Sequence, residues 1–322
     1  MLTKKSILTT LLTLLFISFV FTGCNNENSI VGPDNSNNEQ EVLKKIAEED
    51  ELIQSFEANY NEDEAMGFVF GKISTEIFPV KVGQRMRPLD FDFNATIEGD
   101  SAFGTITRTF EGMLFIIASY DSNASFFDTN LVLIQKPFTT TITRNVIFKR
   151  IGNSDNPMEN WKLVAVSLPE GGTLTDNISI KSLTVYLENG DSIYVDSPND
   201  YYLSREPGWR HLIPEFGHSK DVRVKVEIAS VYQEPDFVTL TWGAWRDKFM
   251  GIRAKHRAKK KFELISEEFD GTFYNRVYEG KWKVNPFPGV RHAVINAYPR
   301  VVIYDDEAPV ESNSWGMPYI VK

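Results

Sequence analysis

One cysteine in a chain of 322 residues, Cys24, restricts the fold more than any other feature of the sequence. A single thiol leaves no disulfide to be formed within the chain. The protein must therefore be stabilised by its hydrophobic core, and an apolar content of 42% with 13% aromatic residues is sufficient for one. The length favours two domains, because a single core rarely grows beyond about 250 residues.

The same cysteine ends an apolar segment at the start of the chain. Lys4 and Lys5 precede an uncharged, largely apolar run over residues 7–21. A basic start followed by an apolar run is the layout of a secretory signal. The run is shorter than the roughly 18–20 apolar residues that cross a bilayer as a helix. The segment therefore predicts export rather than a transmembrane anchor.

The sequence "FTGC" at residues 21–24 resembles the lipobox of bacterial lipoproteins. That resemblance implies cleavage after Gly23 and attachment of lipid to Cys24, which becomes the new N-terminus. We predict a signal peptide over residues 1–23. The polar, Asn-rich residues 24–38 have too few apolar side chains to fold, so we predict a flexible lipidated tether there.

The residue after the cysteine bears on the choice of membrane. In proteobacterial lipoproteins an aspartate at this place favours retention in the inner membrane, and this chain has Asn25 instead. The resemblance therefore implies an exported protein that is anchored by its lipid, most simply in the outer membrane.

Charge narrows the class of partner. The net charge is −10, and residues 25–80 contain 13 acidic and 3 basic side chains. A region of this sign repels the phosphates of nucleic acid, so we expect no nucleic-acid partner. A solvated acidic helix that aids solubility explains the same pattern. The expected partners are the membrane, through the anchor, and an envelope protein or a glycan.

Residues 39–170 combine helical and strand patterns. Five apolar side chains recur at the spacing of one helical face: Val42, Ile46, Ile53, Phe56 and Tyr60. From Leu89 onward the apolar residues alternate, which is typical of strands. Helices followed by antiparallel strands predict an α+β domain with helices on one face of the sheet.

Three strand-like sequences follow this helix: "IEGDSAFGTITRTFEG" at 97–112, "TRNVIFKR" at 143–150 and "NWKLVAVSL" at 160–168. Their order resembles the cone fold of nuclear transport factor 2 and the SnoaL-like proteins. The resemblance implies a curved sheet around a pocket, which catalytic members equip with an Asp–His pair. Residues 39–170 contain no histidine, which leaves Asp90 and Asp92 as candidate polar residues of a pocket. Alternation with Phe91 and Phe93 equally predicts that both carboxylates face solvent.

Residues 171–322 are nearly all strand-like. Asn189-Gly190 between two apolar runs predicts a hairpin with a type I′ turn. Residues 222–228 alternate between apolar and charged, as a strand with one buried face does. Short strands at regular spacing predict a β-sandwich, and the layout resembles an immunoglobulin-like domain. The predicted fold is therefore two domains, α+β followed by an all-β sandwich.

A basic run in this second domain is the strongest local anomaly. In a strand, one face would carry the candidate ridge for an anionic partner: Arg253, Lys255, Arg257, Lys259 and Lys261. Lysines on an edge strand also prevent sheet-to-sheet aggregation, which is the simpler explanation. Two tryptophans next to Gly or Arg, Trp209 and Trp245, are the candidate exposed aromatics that would stack on a glycan.

The sequence offers little for catalysis or metal binding. Asp305, Asp306, Glu307 and Glu311 cluster near the C-terminus, but the spacing of a calcium loop is missing, so we predict a turn. His211 and His218 have no third ligand nearby for zinc. No phosphate loop, dinucleotide fingerprint or nucleophile motif is found, so we expect neither metal nor cofactor. The favoured function is non-catalytic binding or assembly at the cell envelope. A ligand or enzymatic pocket in the cone-like domain and glycan binding by the β-domain are the alternatives.

Overall fold

The computed structural model describes residues 35–60, 67–68, 77–121, 130–173, 175–204, 211–243, 245–246, 253–254 and 258–322. Cys24 and most of the predicted tether lie outside these residues. The contacts divide the chain into residues 1–38 and a compact unit of residues 39–322. This unit is mostly β, with few helices.

The described helices are α1 (Asn35–Glu49), α2 (Glu51–Tyr60) and α3 (Arg300–Tyr304). The predicted helical face is confirmed, since Val42, Ile53, Phe56 and Tyr60 are all buried. It belongs to two helices, because Asp50 interrupts it. The Asp50 carboxylate accepts a hydrogen bond of 2.8 Å from the Leu52 backbone N–H, as an N-cap residue does. None of the described helices is both long and apolar enough to cross a bilayer.

Most described residues lie in strands. In the first half of the chain these are β1 (Gly67–Phe68), β2 (Phe78–Glu98), β3 (Ser101–Ser119), β4 (Val132–Arg150), β5 (Trp161–Ser167), β6 (Glu170–Gly172), β7 (Ile178–Tyr186), β8 (Ser192–Val195), β9 (Tyr202–Ser204), β10 (His211–Leu212) and β11 (Glu215–Phe216). The remaining strands are β12 (Asp221–Ser230), β13 (Phe237–Trp242), β14 (Trp245–Arg246), β15 (Arg253–Ala254), β16 (Ala258–Lys261), β17 (Glu263–Phe269), β18 (Tyr274–Lys283), β19 (Gly289–Tyr298) and β20 (Asn313–Val321).

Strand β2 begins 11 residues earlier than the alternation from Leu89 predicts. The sequence did not predict a strand over residues 78–88, because Pro79 and Pro88 lie there and proline is unfavourable inside a sheet. The pairing of β2 with β3 shifts register next to each of these prolines. Such bulges leave a residue unpaired, so the strand continues through both prolines.

The two-domain layout is not confirmed. The large sheet has the strand order β1-β2-β3-β4-β6-β20-β19-β13-β16, so it joins both halves of the chain. The short strand β6 pairs with β4 on one side and with β20 on the other. The boundary expected at residue 170 therefore falls inside this sheet. A second sheet has the order β17-β18-β12-β7-β8.

The second sheet packs on one face of the large sheet, as in a β-sandwich. Ala293, Ile295 and Ala297 of β19 share a hydrophobic core with Val224 and Val226 of β12. The predicted inward face of residues 222–228 is confirmed, and the hairpin at Asn189-Gly190 forms. Its turn is not the predicted type I′, because Gly190 has a positive φ of +91° but Asn189, which type I′ also requires at positive φ, does not.

Helix α2 covers the other face of β19. Phe56 and Tyr60 pack there with Val294 of β19 and with Phe110 of β3. Strands β3 and β19 belong to one sheet and contact the same helix, so the sheet curls around α2. Gly316 of β20 permits this approach, because a Cβ atom there would lie 2.9 Å from the Phe56 ring.

Candidate functional site

The first candidate site is a buried polar cluster where α2 meets the large sheet. His292, on β19, is fully buried between Ser55 of α2 and Arg144 of β4. Its Nδ1 lies 2.7 Å from Ser55 Oγ, and its Nε2 lies 3.3 Å from Arg144 Nη2. Arg144 also donates a 3.3 Å hydrogen bond from Nη1 to the carbonyl of Leu52.

The electrostatics keep this histidine neutral. Burial and then the positive charge of Arg144 hold the pKa of His292 well below its usual value. Burial also lowers the pKa of Arg144 to about 10, although Asp50 and Glu57 work in the opposite direction. Arg144 therefore remains charged near neutral pH while His292 does not.

The hydrogen-bond directions decide what the pair Ser55–His292 can do. Arginine has no acceptor, so Nε2 of His292 accepts and its proton lies on Nδ1. Nδ1–H then donates to Ser55 Oγ, which in turn donates to the Leu52 carbonyl at 3.2 Å. A general base must accept the proton of the nucleophile, but here His292 donates its own proton to the Ser55 hydroxyl. The cluster therefore fastens α2 to the sheet.

The interior around α2 contains only small cavities. One of about 20 Å³ beside Phe56, Glu57 and Arg144 has room for about one water molecule and not for a larger ligand. A second cavity, of about 100 Å³, lies between Asp50, Leu52 and strand β5. Neither brings two carboxylates together. Asp90 and Asp92 are both exposed on β2, so their assignment to a pocket interior is corrected to the solvent-facing alternative.

His292 could not be predicted from residues 39–170, where the cone-like resemblance places a catalytic histidine and the chain has none. The residue comes from β19, more than 120 positions beyond that range, and reaches α2 only through the pairing of the large sheet. Its one local signal is a polar residue inside a strand that is otherwise buried from Arg291 to Tyr298.

Two members of the predicted basic ridge can be placed. Lys259 and Lys261 lie on β16, opposite Thr241 and Thr239 of β13. Strand β16 is at one end of the strand order of the large sheet and lies near β1, which is at the other end. Arg253 is part of β15, but its side chain is not described, and Lys255 and Arg257 lie outside the described residues.

The side chains of both candidate aromatics lie outside the described part of the chain. Trp209 lies outside the described residues, and only the backbone of Trp245, in β14, is described. Trp282 and Trp315 are buried in the core. Trp242 is half-buried, and its indole Nε1 donates a 2.7 Å hydrogen bond to the Lys283 carbonyl.

The second candidate site is an open groove of about 1040 Å³ between the two sheets. The β7–β8 hairpin forms one wall, and the short strands β9, β10 and β11 form the other. The rings of Tyr201 and His211 stack in it, with centroids 4.0 Å apart. Glu188 and Glu215 add carboxylates, which Lys220 and Lys322 pair with at the rim. Aromatic faces beside polar groups are suited to binding a polar ligand with apolar faces.

The acidic cluster near the C-terminus forms a turn, as predicted. The Asp305 carboxylate accepts hydrogen bonds from the backbone N–H groups of Glu307 and Ala308, at 2.7 and 2.9 Å. Glu311 instead accepts hydrogen bonds from Asn177. Within the described ranges, no three His, Cys, Asp or Glu side chains are grouped so as to hold a metal ion.

No protein-family model matches this chain, and no curated protein matches it.

Proposed function

We propose that this chain is an exported lipoprotein of the bacterial cell envelope with a non-catalytic role in binding or assembly. The observation that carries the proposal is the lipobox-like sequence ending in Cys24, preceded by a basic start and a short apolar run. The same cysteine is the only one in the chain, which fits a lipid-attachment role better than a structural one.

The interior around α2 supports the non-catalytic part of the proposal. A ligand or enzymatic pocket in the cone-like domain needs space and converging acid–base groups. The small cavities beside α2 and the proton arrangement at His292 favour a structural role for this region. The cone-like and immunoglobulin-like resemblances belong to the same proposal, supported by helices packed on a curled sheet and by two sheets packed face to face.

Fractionation of cells that express the full chain tests this function. We expect the natural chain in the outer-membrane fraction, labelled by a fatty-acid analogue, and Cys24→Ser unlabelled and released from the membrane. Thr22→Ala, which keeps a small residue beside the cysteine, serves as the matched control and should behave as the natural chain. An unlabelled natural chain in the cytosol would refute the proposal.

Glycan binding is a second candidate function, favoured by the Tyr201–His211 stack in the groove. His211 is exposed, so its ring offers a face on which a sugar can pack. A glycan array probed with the full chain should retain a carbohydrate, and His211→Ala should lose it. His218→Ala removes an exposed histidine that does not line the groove and should leave binding intact. An array on which the natural chain retains nothing would exclude this candidate.

A further inference from the structure

A cleft of about 400 Å³ lies beside β16 and α3, away from the polar cluster and the groove. Two basic side chains, Lys261 and Arg300, contribute to its wall, together with Asp236 and Glu263. Buried charges in proteins are normally paired, so the partners of these two cations are informative.

Arg300 is poorly satisfied. The residue is 8% exposed, and its Nε and Nη2 are buried without a hydrogen-bond partner. Glu234 has a carboxylate oxygen 3.8 Å from Nε, which is beyond hydrogen-bond distance. The guanidinium lies over the Tyr304 ring, 3.6 Å from its centroid, which does not supply Nε and Nη2 with a hydrogen-bond acceptor.

Lys261 brings a second positive charge to the same cleft. Its side chain is half-buried, with Nζ 5.5 Å from the centroid of the Phe237 ring, and it forms no ion pair with any described residue. Burial first, and the charge of Arg300 second, lower the pKa of Lys261. Both cations therefore bring positive charge to the wall of one cleft.

The acidic residues of the cleft do not cancel this charge. Asp236 accepts hydrogen bonds of 2.8 Å from both Arg276 and Ser230, so its carboxylate is already engaged. Glu263 is exposed, where water screens its charge. An added anion would satisfy both cations at once.

We propose that this cleft binds a phosphate group through Arg300 and Lys261. The planar guanidinium offers several donors to phosphate oxygens, and the lysine ammonium adds a compact charge beside it. The phosphate belongs either to free inorganic phosphate or to the headgroup of a phospholipid. The proposal is independent of the anchor at Cys24, because it rests on residues of the folded unit alone.

Calorimetric titration of the full chain with sodium phosphate, against sodium chloride of equal ionic strength, tests the proposal. We expect saturable binding of phosphate at one site. Arg300→Met and Lys261→Met should each weaken it by about tenfold or more, the loss typical of removing a charge-assisted contact. Lys260→Met, which removes an exposed charge from the same strand, is the matched control and should bind normally. The absence of saturable binding, or an equal loss in Lys260→Met, would overturn the proposal.

A substitution of Glu234 separates a ligand site from an internal ion pair. If phosphate is the partner of Arg300, Glu234→Gln removes a competing carboxylate and should tighten phosphate binding. If Glu234 itself is the partner, the same change should lower the thermal midpoint and leave the chain insensitive to phosphate, which would contradict the site.

Glycerol phosphate, the soluble part of a phospholipid headgroup, distinguishes the two sources. Binding as tight as that of inorganic phosphate indicates a headgroup, and selective binding of inorganic phosphate indicates the free ion. Binding of neither overturns the proposal. Should Arg300→Met fail to fold, the half-buried Lys261→Met keeps the test decisive.

Discussion

Two arginines near Asp236 differ sharply in how their charge is satisfied. Arg276 is 1% exposed and donates to Asp236 at 2.8 Å, to Glu267 at 2.5 Å and to the carbonyls of Tyr232 and Gln233. Arg300, which lines the same cleft as Asp236, has two buried nitrogens without a hydrogen-bond partner. A satisfied buried charge fixes structure, whereas an unsatisfied one indicates a place for a ligand.

The surroundings of Arg276 explain why it remains charged. Burial works to lower its pKa, but the hydrogen bonds of Glu267 and Asp236 raise it overall. Arg276, on β18, thereby links Asp236 of the loop between β12 and β13 to Glu267 of β17. We therefore assign Arg276 to stability and Arg300 to binding, and four substitutions or conditions test this contrast.

The largest effect is expected at Arg276. Arg276→Met should lower the free energy of unfolding by about 3–5 kcal/mol, because it leaves the carboxylate of Asp236 buried without its cation. Urea denaturation of the full chain measures the change. The double variant with Asp236→Asn removes the stranded charge and should recover part of the loss. A loss below about 1 kcal/mol would contradict the structural role.

Arg144 should be intermediate, because its hydrogen-bond partners are neutral. Arg144→Met leaves the buried His292 Nε2 without a donor and removes one of the hydrogen bonds to the Leu52 carbonyl, which should cost about 1–3 kcal/mol in the same denaturation experiment. Arg108→Met is the control, since Arg108 pairs with Glu57 in a half-buried position. That pair should be worth about 1 kcal/mol or less. Equal losses would mean that the polar cluster under α2 stabilises the fold no more than the Arg108–Glu57 pair does.

Acid should weaken the His292 cluster. The unfolded chain binds a proton at His292 near pH 6.5, whereas the folded chain does not, because the native pKa lies well below that value. Stability is therefore complete above this pH and is lost as the pH falls. The loss from this one group reaches about 1.4 kcal/mol at about pH 5.5. His292→Gln should flatten this part of the pH profile, and His211→Gln should not.

The smallest effect is expected at Arg300. In phosphate-free buffer, Arg300→Met should change the free energy of unfolding by less than about 1 kcal/mol, or increase it, because an apolar side chain replaces a buried cation whose Nε and Nη2 form no hydrogen bond. Thermal denaturation beside Lys260→Met measures this. A loss as large as that of Arg276→Met would show that Arg300 has a structural partner, and the contrast between the two arginines would fail.

Local patterns in the sequence predicted the elements well. The helical face from Val42 to Tyr60 and the alternation at residues 222–228 follow directly from the spacing of apolar side chains, which the chain carries locally. The hairpin at Asn189-Gly190 was equally predictable, because glycine tolerates the positive φ found at residue 190. The turn type was not, since Asn189 lacks the positive φ of a type I′ turn.

The sites depend on pairings that no local pattern contains. His292 reaches α2 only because β19 lies beside β20, and β20 joins β4 through the three-residue strand β6. Lys261 belongs to the basic run, whereas Arg300 lies 39 residues later and belongs to no motif. Their meeting in one cleft is a consequence of the tertiary fold.

The proposal of an envelope lipoprotein is tested most directly by the mass of the N-terminal peptide of protein purified from its bacterial host. The account predicts a mature chain that begins at Cys24 and carries fatty acyl groups on it. A chain that still begins at Met1, with the Cys24 thiol free, would contradict it.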